Sequence, residues 1–288
     1  MSGPLSSPVV AIYQMLGAAD ASWHVDIGRP EADGWIAGAD MRNARSGPLN
    51  ELLRRIGERL GTEDRKTIAA LFALRLGWAS RMAIAPYLRH RVVPDISLDN
   101  VAFKFKPSTF LERSAIYEPR GTLLAGDAVA GDPGAEHAAI ATVPDDSALL
   151  GELRRALTEQ AGPIVEGLYE WSGFARRGTW GMLTSAWAAQ FIAMCDNRND
   201  QRAMQPTIEA FFAGSDDVSV MQPRLHTVVL GEVVQLFQRR ASCCRWYLLP
   251  QGGLCASCPL VPQDERVRRN LAWMTEERER VTSPGGHK

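Results

Sequence analysis

The chain has 288 residues, of which 45% are hydrophobic and 23% are charged, so it can bury a substantial core as one large domain or two small ones. Its 32 Lys and Arg residues nearly balance its 33 Asp and Glu residues, which leaves a formal net charge of −1. This balance argues against nucleic acid or an anionic membrane as the main partner.

The N-terminal residues 1–10 have neither the basic start nor the apolar centre of a secretory signal. The weakly polar run at residues 182–194 is too short to cross a bilayer. We therefore expect a cytoplasmic protein, in a compartment where thiols stay reduced. Peripheral contact with the inner membrane is left open by the sequence.

The apolar pattern predicts an α+β fold that is predominantly α-helical, with a small antiparallel β element in the N-terminal half. Helices are predicted, in chain order, over residues 49–60, 67–88, 180–195, 208–212 and 264–280. Pro86 should kink or end the second of these helices. Alternation around Val101, Phe103 and Phe105 predicts a half-buried strand, whereas the Val-rich segment 225–237 fits a helix or a strand equally well.

Residues 120–146 are rich in Gly, Ala and Asp, and predict a hairpin followed by a loop and an internal boundary. Asp145 or Asp146 then caps a helix. The predicted parts are an α+β part (1–145), a helical part (146–238), a cysteine motif (239–262), and a terminal helix with a disordered tail (263–288). We expect them to pack as one compact unit.

Four of the five cysteines form the motif Cys243-Cys244-x10-Cys255-x2-Cys258. Two bridged iron atoms need four thiolates, two for each iron, and this motif supplies them. The C-x-x-C spacing of the second pair directs both sulfurs towards one metal. Neighbouring side chains diverge on a regular strand or helix, so the first pair requires an irregular backbone. The motif therefore predicts a C-terminal loop that binds a 2Fe–2S cluster.

The residues around the cysteines suit an anionic cluster. Gly252 and Gly253 favour a chain reversal and let backbone N–H groups approach the sulfurs. Trp246 is expected to shield the cluster from water.

No Asp or Glu lies between residues 233 and 263, whereas Arg239, Arg240 and Arg245 flank the first cysteine pair. Guanidinium groups near the cluster should raise its reduction potential, and they could attract an acidic electron donor or an anionic substrate.

Other interpretations remain open at this point. Four thiolates also suit a structural zinc ion, which would make the protein a binding or adaptor protein. Disulfides are disfavoured in a reducing compartment. An iron–sulfur sensor that responds to iron or redox state without turnover uses the same ligands. Cys195 fits a buried structural thiol, and Arg75, Arg81, Arg89 and Arg91 fit a solvated helix face.

The cysteine motif resembles the C-terminal signature of the FhuF-like ferric-siderophore reductases, in which an Arg-rich segment leads into Cys-Cys, ten residues and Cys-x-x-Cys. A second, softer likeness lies in the sequence from Trp180-Gly181-Met182 to Ser185-Ala186. It is similar to a Trp-Gly-Asn-x-x-Ser-Ala helix start in that family, but Met182 replaces the Asn. The resemblance covers residues 65–262 at most.

The resemblance implies a cytoplasmic reductase whose 2Fe–2S cluster passes one electron to iron held by a ferric siderophore, with Cys243, Cys244, Cys255 and Cys258 as ligands. The reaction needs no hydride, and the sequence has neither a dinucleotide-binding glycine motif nor a P-loop. Electrons would then come from a separate donor such as a ferredoxin or flavodoxin. The residues that bind the substrate are not identified by the sequence.

Overall fold

The structure, a computed structural model, describes residues 7–126, 140–195, 197, 199–213 and 221–282. Within them the helices are α1 (Pro8–Ala19), α2 (Gly47–Leu60), α3 (Arg65–Leu76), α4 (Arg81–His90), α5 (Asp146–Ser172), α6 (Arg176–Ala193), α7 (Met204–Ala213) and α8 (Gln263–Thr282). The strands are β1 (Val25–Ile27), β2 (Trp35–Ala37), β3 (Val92–Pro94), β4 (Val101–Phe105), β5 (Leu111–Ile116), β6 (Gly121–Leu124), β7 (Ile140–Val143), β8 (Arg224–Leu230) and β9 (Val233–Arg239). The predicted α+β, mostly helical fold is confirmed.

The helical core is built on α3 and α6, which pack closely against each other. A short 3-10 turn (Gly77–Ser80) separates α3 from α4, so the predicted single helix over residues 67–88 is broken there. A side chain at Gly77 would collide with Ala186 of α6. The turn therefore lies where the two helices approach most closely.

The helix does not end at Pro86, one of the two predicted outcomes, because Pro86 lies inside α4, which continues to His90. A proline lacks the N–H that would bond the carbonyl four residues earlier. That carbonyl belongs to Met82, and the hydroxyl of Tyr13 on α1 donates to it instead. A tertiary hydrogen bond thus replaces the missing helical one.

The segment Arg65–His90 is the one stretch of the described residues that is long and apolar enough to span a membrane by length and composition. It is longer than the weakly polar run at residues 182–194 noted in the sequence. In the fold, 83% of the most apolar part of this segment is buried, as in a core helix.

The predicted antiparallel β element is a mixed four-stranded sheet in the order β1-β5-β4-β2. Strand β4 runs antiparallel to both of its neighbours, whereas β1 runs parallel to β5. Ala102 and Phe103 are both buried, so this central strand is covered on both faces and not half-buried as predicted. A second sheet has the order β3-β6-β7. Because β6 and β7 run parallel, they do not form the hairpin predicted for residues 120–146; residues 127–139 lie outside the described part.

The C-terminal half supports the cysteine loop. Asp145 is the N-cap of α5, since its side chain accepts from the N–H of Ala148 at 2.8 Å. The ambiguous segment 225–237 is the antiparallel hairpin of β8 and β9, and α8 packs on β8. The cysteines lie in the connection between β9 and α8. The predicted tail after residue 282 is outside the described residues.

Candidate metal centre

The cysteine loop, residues 240–262, brings the four predicted ligands into one region between β9 and α8. Cys244 and Cys258 are buried, with 6% and 3% exposure, whereas Cys243 is half-buried and Cys255 is exposed. All four are free thiols, so the disulfide alternative finds no support. The loop therefore has a buried side and a solvent-facing side, and Cys255 lies on the latter.

The irregular backbone required by the vicinal cysteines is found at Arg245, whose φ of 63° places it in the left-handed region. This conformation costs a non-glycine residue roughly 1–2 kcal/mol. The N–H of Arg245 then turns back to the Sγ of Cys243 at 3.4 Å.

The side chain of Arg245 fixes this conformation by reaching across to the start of α3. It donates to Asp64 at 2.9 Å and to Thr67 at 3.1 Å. Burial alone would raise the pKa of Asp64, but hydrogen bonds from Thr67 and Arg245 lower it below its ordinary value of 3.8. The Asp64 carboxylate thus anchors the first cysteine pair to the helical core.

The two predicted glycines differ in what the structure requires of them. A Cβ on Gly252 would collide with the carbonyl oxygen of Trp246, and the N–H of Gly252 donates to the carbonyl of Leu249 at 2.8 Å. Gly253 has open space around its Cα and no positive φ. The glycines were predicted to bring backbone N–H groups close to the sulfurs. The backbone N–H that contacts a cysteine sulfur, the Sγ of Cys243, instead belongs to Arg245. Trp246 is half-buried and packs on the hydrophobic core.

Arg240 lies among the cysteines and is only 7% exposed. Its Nη2 donates to the Sγ of Cys255 at 2.7 Å, and its backbone N–H donates to the carbonyl of Ser257. Burial would lower the pKa of Arg240, but the negative charges of Cys244, Cys255 and Cys258 raise it. Its Nε is buried without a hydrogen-bond partner. A buried cationic donor beside the sulfur atoms of these cysteines fits an anionic cluster, which would supply the missing acceptor. Arg239, by contrast, donates to the carbonyl of Pro259 at 3.0 Å.

The second cysteine pair is held by Arg266 of α8, a residue that sequence reasoning missed. Arg266 is 1% exposed and donates to the carbonyls of Ala256, Cys258 and Val261 at 2.6–3.0 Å. It lies in a helix dense in paired charges, so its sequence context is that of a surface arginine. Only the fold shows that it organises the C-x-x-C turn.

The softer sequence likeness on α6 also has a structural role. The Oγ of Ser185 accepts from the N–H of Ala241 at 3.0 Å. A Cβ on Gly181 would lie 2.5 Å from the Cβ of Ser242. These two α6 residues therefore receive the backbone just before Cys243, while Met182, at the position where the family has Asn, is buried in the core.

Within the described residues, no three Cys, His, Asp or Glu side chains converge on a position where one metal ion could sit. A structural zinc ion needs four such ligands at a single centre. Two bridged irons instead need two thiolates each, distributed over a wider site. The four cysteines of the loop supply this number of thiolates.

Comparison with known families agrees with this geometry. Residues 240–260 match the family model of the FhuF 2Fe–2S C-terminal domain. This segment is similar to that domain, and we refer to it as the FhuF-type domain. The resemblance stated from the cysteine motif is confirmed over these residues, and so is the 2Fe–2S cofactor. Among curated proteins, none matches the chain.

The match links this segment, and not the rest of the chain, to the FhuF 2Fe–2S C-terminal domain. It includes Arg240 and all four predicted ligands, but excludes Arg266 and the α6 residues that support the loop. Cys195 lies outside it, at the end of α6, where its Sγ contacts the carbonyl of Asn197 at 3.6 Å. The domain thus contains the four predicted ligands, a buried positive charge and one exposed edge.

Proposed function

We propose that this protein reduces Fe(III) held by a siderophore through one-electron transfer, and that Fe(II) is released in the cytoplasm. The observation that carries the proposal is the exposed Cys255, a predicted ligand within the FhuF-type domain whose sulfur meets both solvent and Arg240. When bound, the 2Fe–2S cluster supplies chemistry in single electrons.

The residues around the cluster have two roles in this proposal: some balance its charge, and others leave one side of it exposed. Cys243, Cys244, Cys255 and Cys258 are the ligands in this proposal. Arg240 offsets part of the negative charge in a buried place, where charges interact more strongly than in water. The buried Cys244 and Cys258 keep water from one side, and the exposed Cys255 faces the substrate.

The chemistry of the substrate favours release after reduction. Hydroxamate and catecholate oxygens are hard donors that hold Fe(III) far more tightly than Fe(II). One electron added to the bound Fe(III) therefore weakens the complex, and the ferrous ion leaves. The electron comes from a separate one-electron donor, such as a ferredoxin or flavodoxin.

The test is a single-turnover assay under anaerobic conditions. Protein loaded with iron and sulfide is reduced, freed of reductant and mixed with a ferric trishydroxamate in the presence of a ferrous chelator. The proposal predicts that the ferrous-chelate colour rises as the cluster reoxidises, with one Fe(II) for each oxidised cluster. If the reduced cluster transfers no electron to ferric trishydroxamate or tris-catecholate complexes, the sensor interpretation replaces the reductase.

A further inference from the structure

A groove of about 810 Å³ borders the exposed side of the cysteine loop. Its walls come from α6, from β9, from α8 and from the turn Cys255-Ala256-Ser257. Pockets for small molecules measure roughly 300–1,000 Å³, so the groove is large enough for an organic chelate. The rate of electron tunnelling falls steeply with distance. Because the predicted cluster ligand Cys255 lies in the wall of this groove, a substrate bound here would be close to the cluster.

The polar groups of the groove are mostly uncharged carboxamides, from Gln201, Gln235, Gln238 and Asn270. The charged side chain in its lining is Glu277, which is ion-paired with Arg280. Such a lining offers hydrogen bonds, and its one charged side chain is already paired, so it favours an uncharged ligand over an anion.

One of these carboxamides has an unused acceptor. Gln238 donates through Nε2 to the carbonyl of Ser185 at 2.8 Å, which fixes the side chain. Its Oε1 is buried and has no hydrogen-bond partner. A buried acceptor without a donor is costly, so an N–H or O–H group of a ligand would stabilise it.

The groove also has an aromatic surface. Trp273 on α8 is 46% exposed, and its ring meets that of Phe237 edge to face, with 5.9 Å between ring centroids. An exposed tryptophan held by a second ring provides a large contact area at a low entropy cost. It can pack against the organic part of a chelate.

A second cavity, of about 360 Å³, has the opposite character. Four basic residues and one acid line it: Arg75, Arg81, Lys106, Arg113 and Glu112. Arg75 is buried, not solvated as the sequence predicted. Thr67 contacts Arg245 of the cysteine loop, and Arg75 lies eight residues further along α3, roughly 12 Å away. An anionic chelate would be attracted to this cavity, away from the cysteines.

We propose that the groove beside Cys255 is the docking site for an uncharged ferric chelate that carries amide groups, with Trp273 and Gln238 as positioning residues. The proposal rests on the proposed function. It adds a place for the substrate and a preference for uncharged over anionic chelates, neither of which follows from the cysteine motif.

The experiment compares two tryptophans of nearly equal exposure, Trp273 in the groove at 46% and Trp78 in the cationic cavity at 49%. Binding is measured on the oxidised, cluster-loaded protein with the redox-inert gallium(III) complex of an uncharged cyclic-peptide trishydroxamate. Trp273→Ala should weaken binding about tenfold, the loss expected for a large aromatic contact. Trp78→Ala should leave it unchanged, and the trianionic gallium(III) tris-catecholate should bind no more tightly.

Turnover with the ferric trishydroxamate gives a second measurement. Trp273→Ala should raise KM by the same factor while kcat, the absorption spectrum and the midpoint potential stay at wild-type values. A structural defect would change the spectrum as well. The docking proposal would be overturned if wild type and Trp273→Ala bound the gallium complex with equal affinity, or if wild type did not bind it. Binding that depends on Trp273 but leads to no reduction would sustain the groove and contradict the reductase.

Discussion

The α3–α6 core and the cysteine loop 240–262 are stabilised by different interactions. In the core, side chains such as Phe72, Ala73 and Leu183 are completely or almost completely buried among other apolar groups. In the loop, buried arginines donate to sulfur and carbonyl atoms, with Arg240 at Cys255 and Arg266 at three carbonyls. The free energy of the core is spread over many contacts, whereas that of the loop is concentrated in a few charged groups.

This difference implies that the two regions can be broken separately. A polar substitution in the loop should lose the cluster or change its potential while the core stays folded. An apolar truncation in the core should lower the free energy of unfolding of the whole chain. The structure provides matched pairs of residues for testing both statements.

The largest effect is expected for Cys244→Ser, which removes a buried ligand from the loop. A serine hydroxyl does not replace a thiolate on iron, so the visible absorption of the cluster should be lost. Cys195→Ser is the matched control, because Cys195 is also buried but lies outside the loop. Its absorption spectrum should match wild type. A normal cluster spectrum in Cys244→Ser would remove this residue from the ligand set.

Phe72→Ala tests the core side of the comparison. Truncation of a fully buried phenylalanine lowers the free energy of unfolding by about 3–5 kcal/mol. Denaturant unfolding followed by circular dichroism measures this loss. Below its melting range the variant should still take up a full complement of iron and sulfide. Loss of the cluster in a chain that is still folded would show that core and loop are not separable.

Arg266→Met tests the loop without touching a ligand. The buried carbonyls of Cys258 and Val261 would lose their donor, which should cost roughly 2–6 kcal/mol, since each unsatisfied group costs about 1–3 kcal/mol. The free energy of unfolding should fall, and the cluster should bleach faster in the presence of an iron chelator. Arg268→Met on the same helix is the control, because Arg268 is exposed and pairs with Glu265. Equal bleaching rates for the two variants would contradict the role of Arg266.

Arg240→Gln should change the cluster without removing it. Loss of a buried positive charge disfavours the more negative, reduced state, so the midpoint potential should fall. The expected shift is roughly 60 mV, which for a one-electron couple corresponds to a tenfold change in equilibrium. Redox titration followed by absorption measures it, with Arg239→Gln as the control because Arg239 contacts a carbonyl. An unchanged or higher potential in Arg240→Gln would be inconsistent with the account.

The smallest effect is expected at Asp64, which joins loop to core. Asp64→Asn keeps a capping side chain but removes the ion pair with Arg245. Because this ion pair is partly exposed, it should contribute about 0.5 kcal/mol to the free energy of unfolding. Because folding lowers the pKa of Asp64 below 3.8, this contribution is present above pH 3.8 and is lost as the pH falls below it. The difference in unfolding free energy between wild type and Asp64→Asn should therefore vanish in acid. If this difference in unfolding free energy grew as the pH fell, it would contradict the predicted lowering of the Asp64 pKa by folding.

Sequence reasoning succeeded where one signal determined the outcome. Four cysteines at this spacing predict a 2Fe–2S cluster regardless of fold, and apolar spacing predicts α2. Sequence reasoning did not show that α4 continues past Pro86, since no local rule shows that Tyr13, far away in the chain, takes over the free carbonyl of Met82.

The support of the loop was equally hidden from the sequence. Arg266 carries the pattern of a surface residue, and its burial follows from where α8 packs relative to β8. Gly181 and Ser185 were noticed as a likeness, but their contacts with Ala241 and Ser242 depend on the approach of α6 to the loop. Residues that bind a loop to a distant element have no local signature.

The central claim is that the cysteine loop holds a 2Fe–2S cluster, and purification under anaerobic conditions tests it most directly. The account predicts a red-brown protein with two irons and two acid-labile sulfides per chain, absorption that bleaches on reduction, and a reduced-state EPR signal. A colourless protein that contains one zinc ion per chain would contradict it.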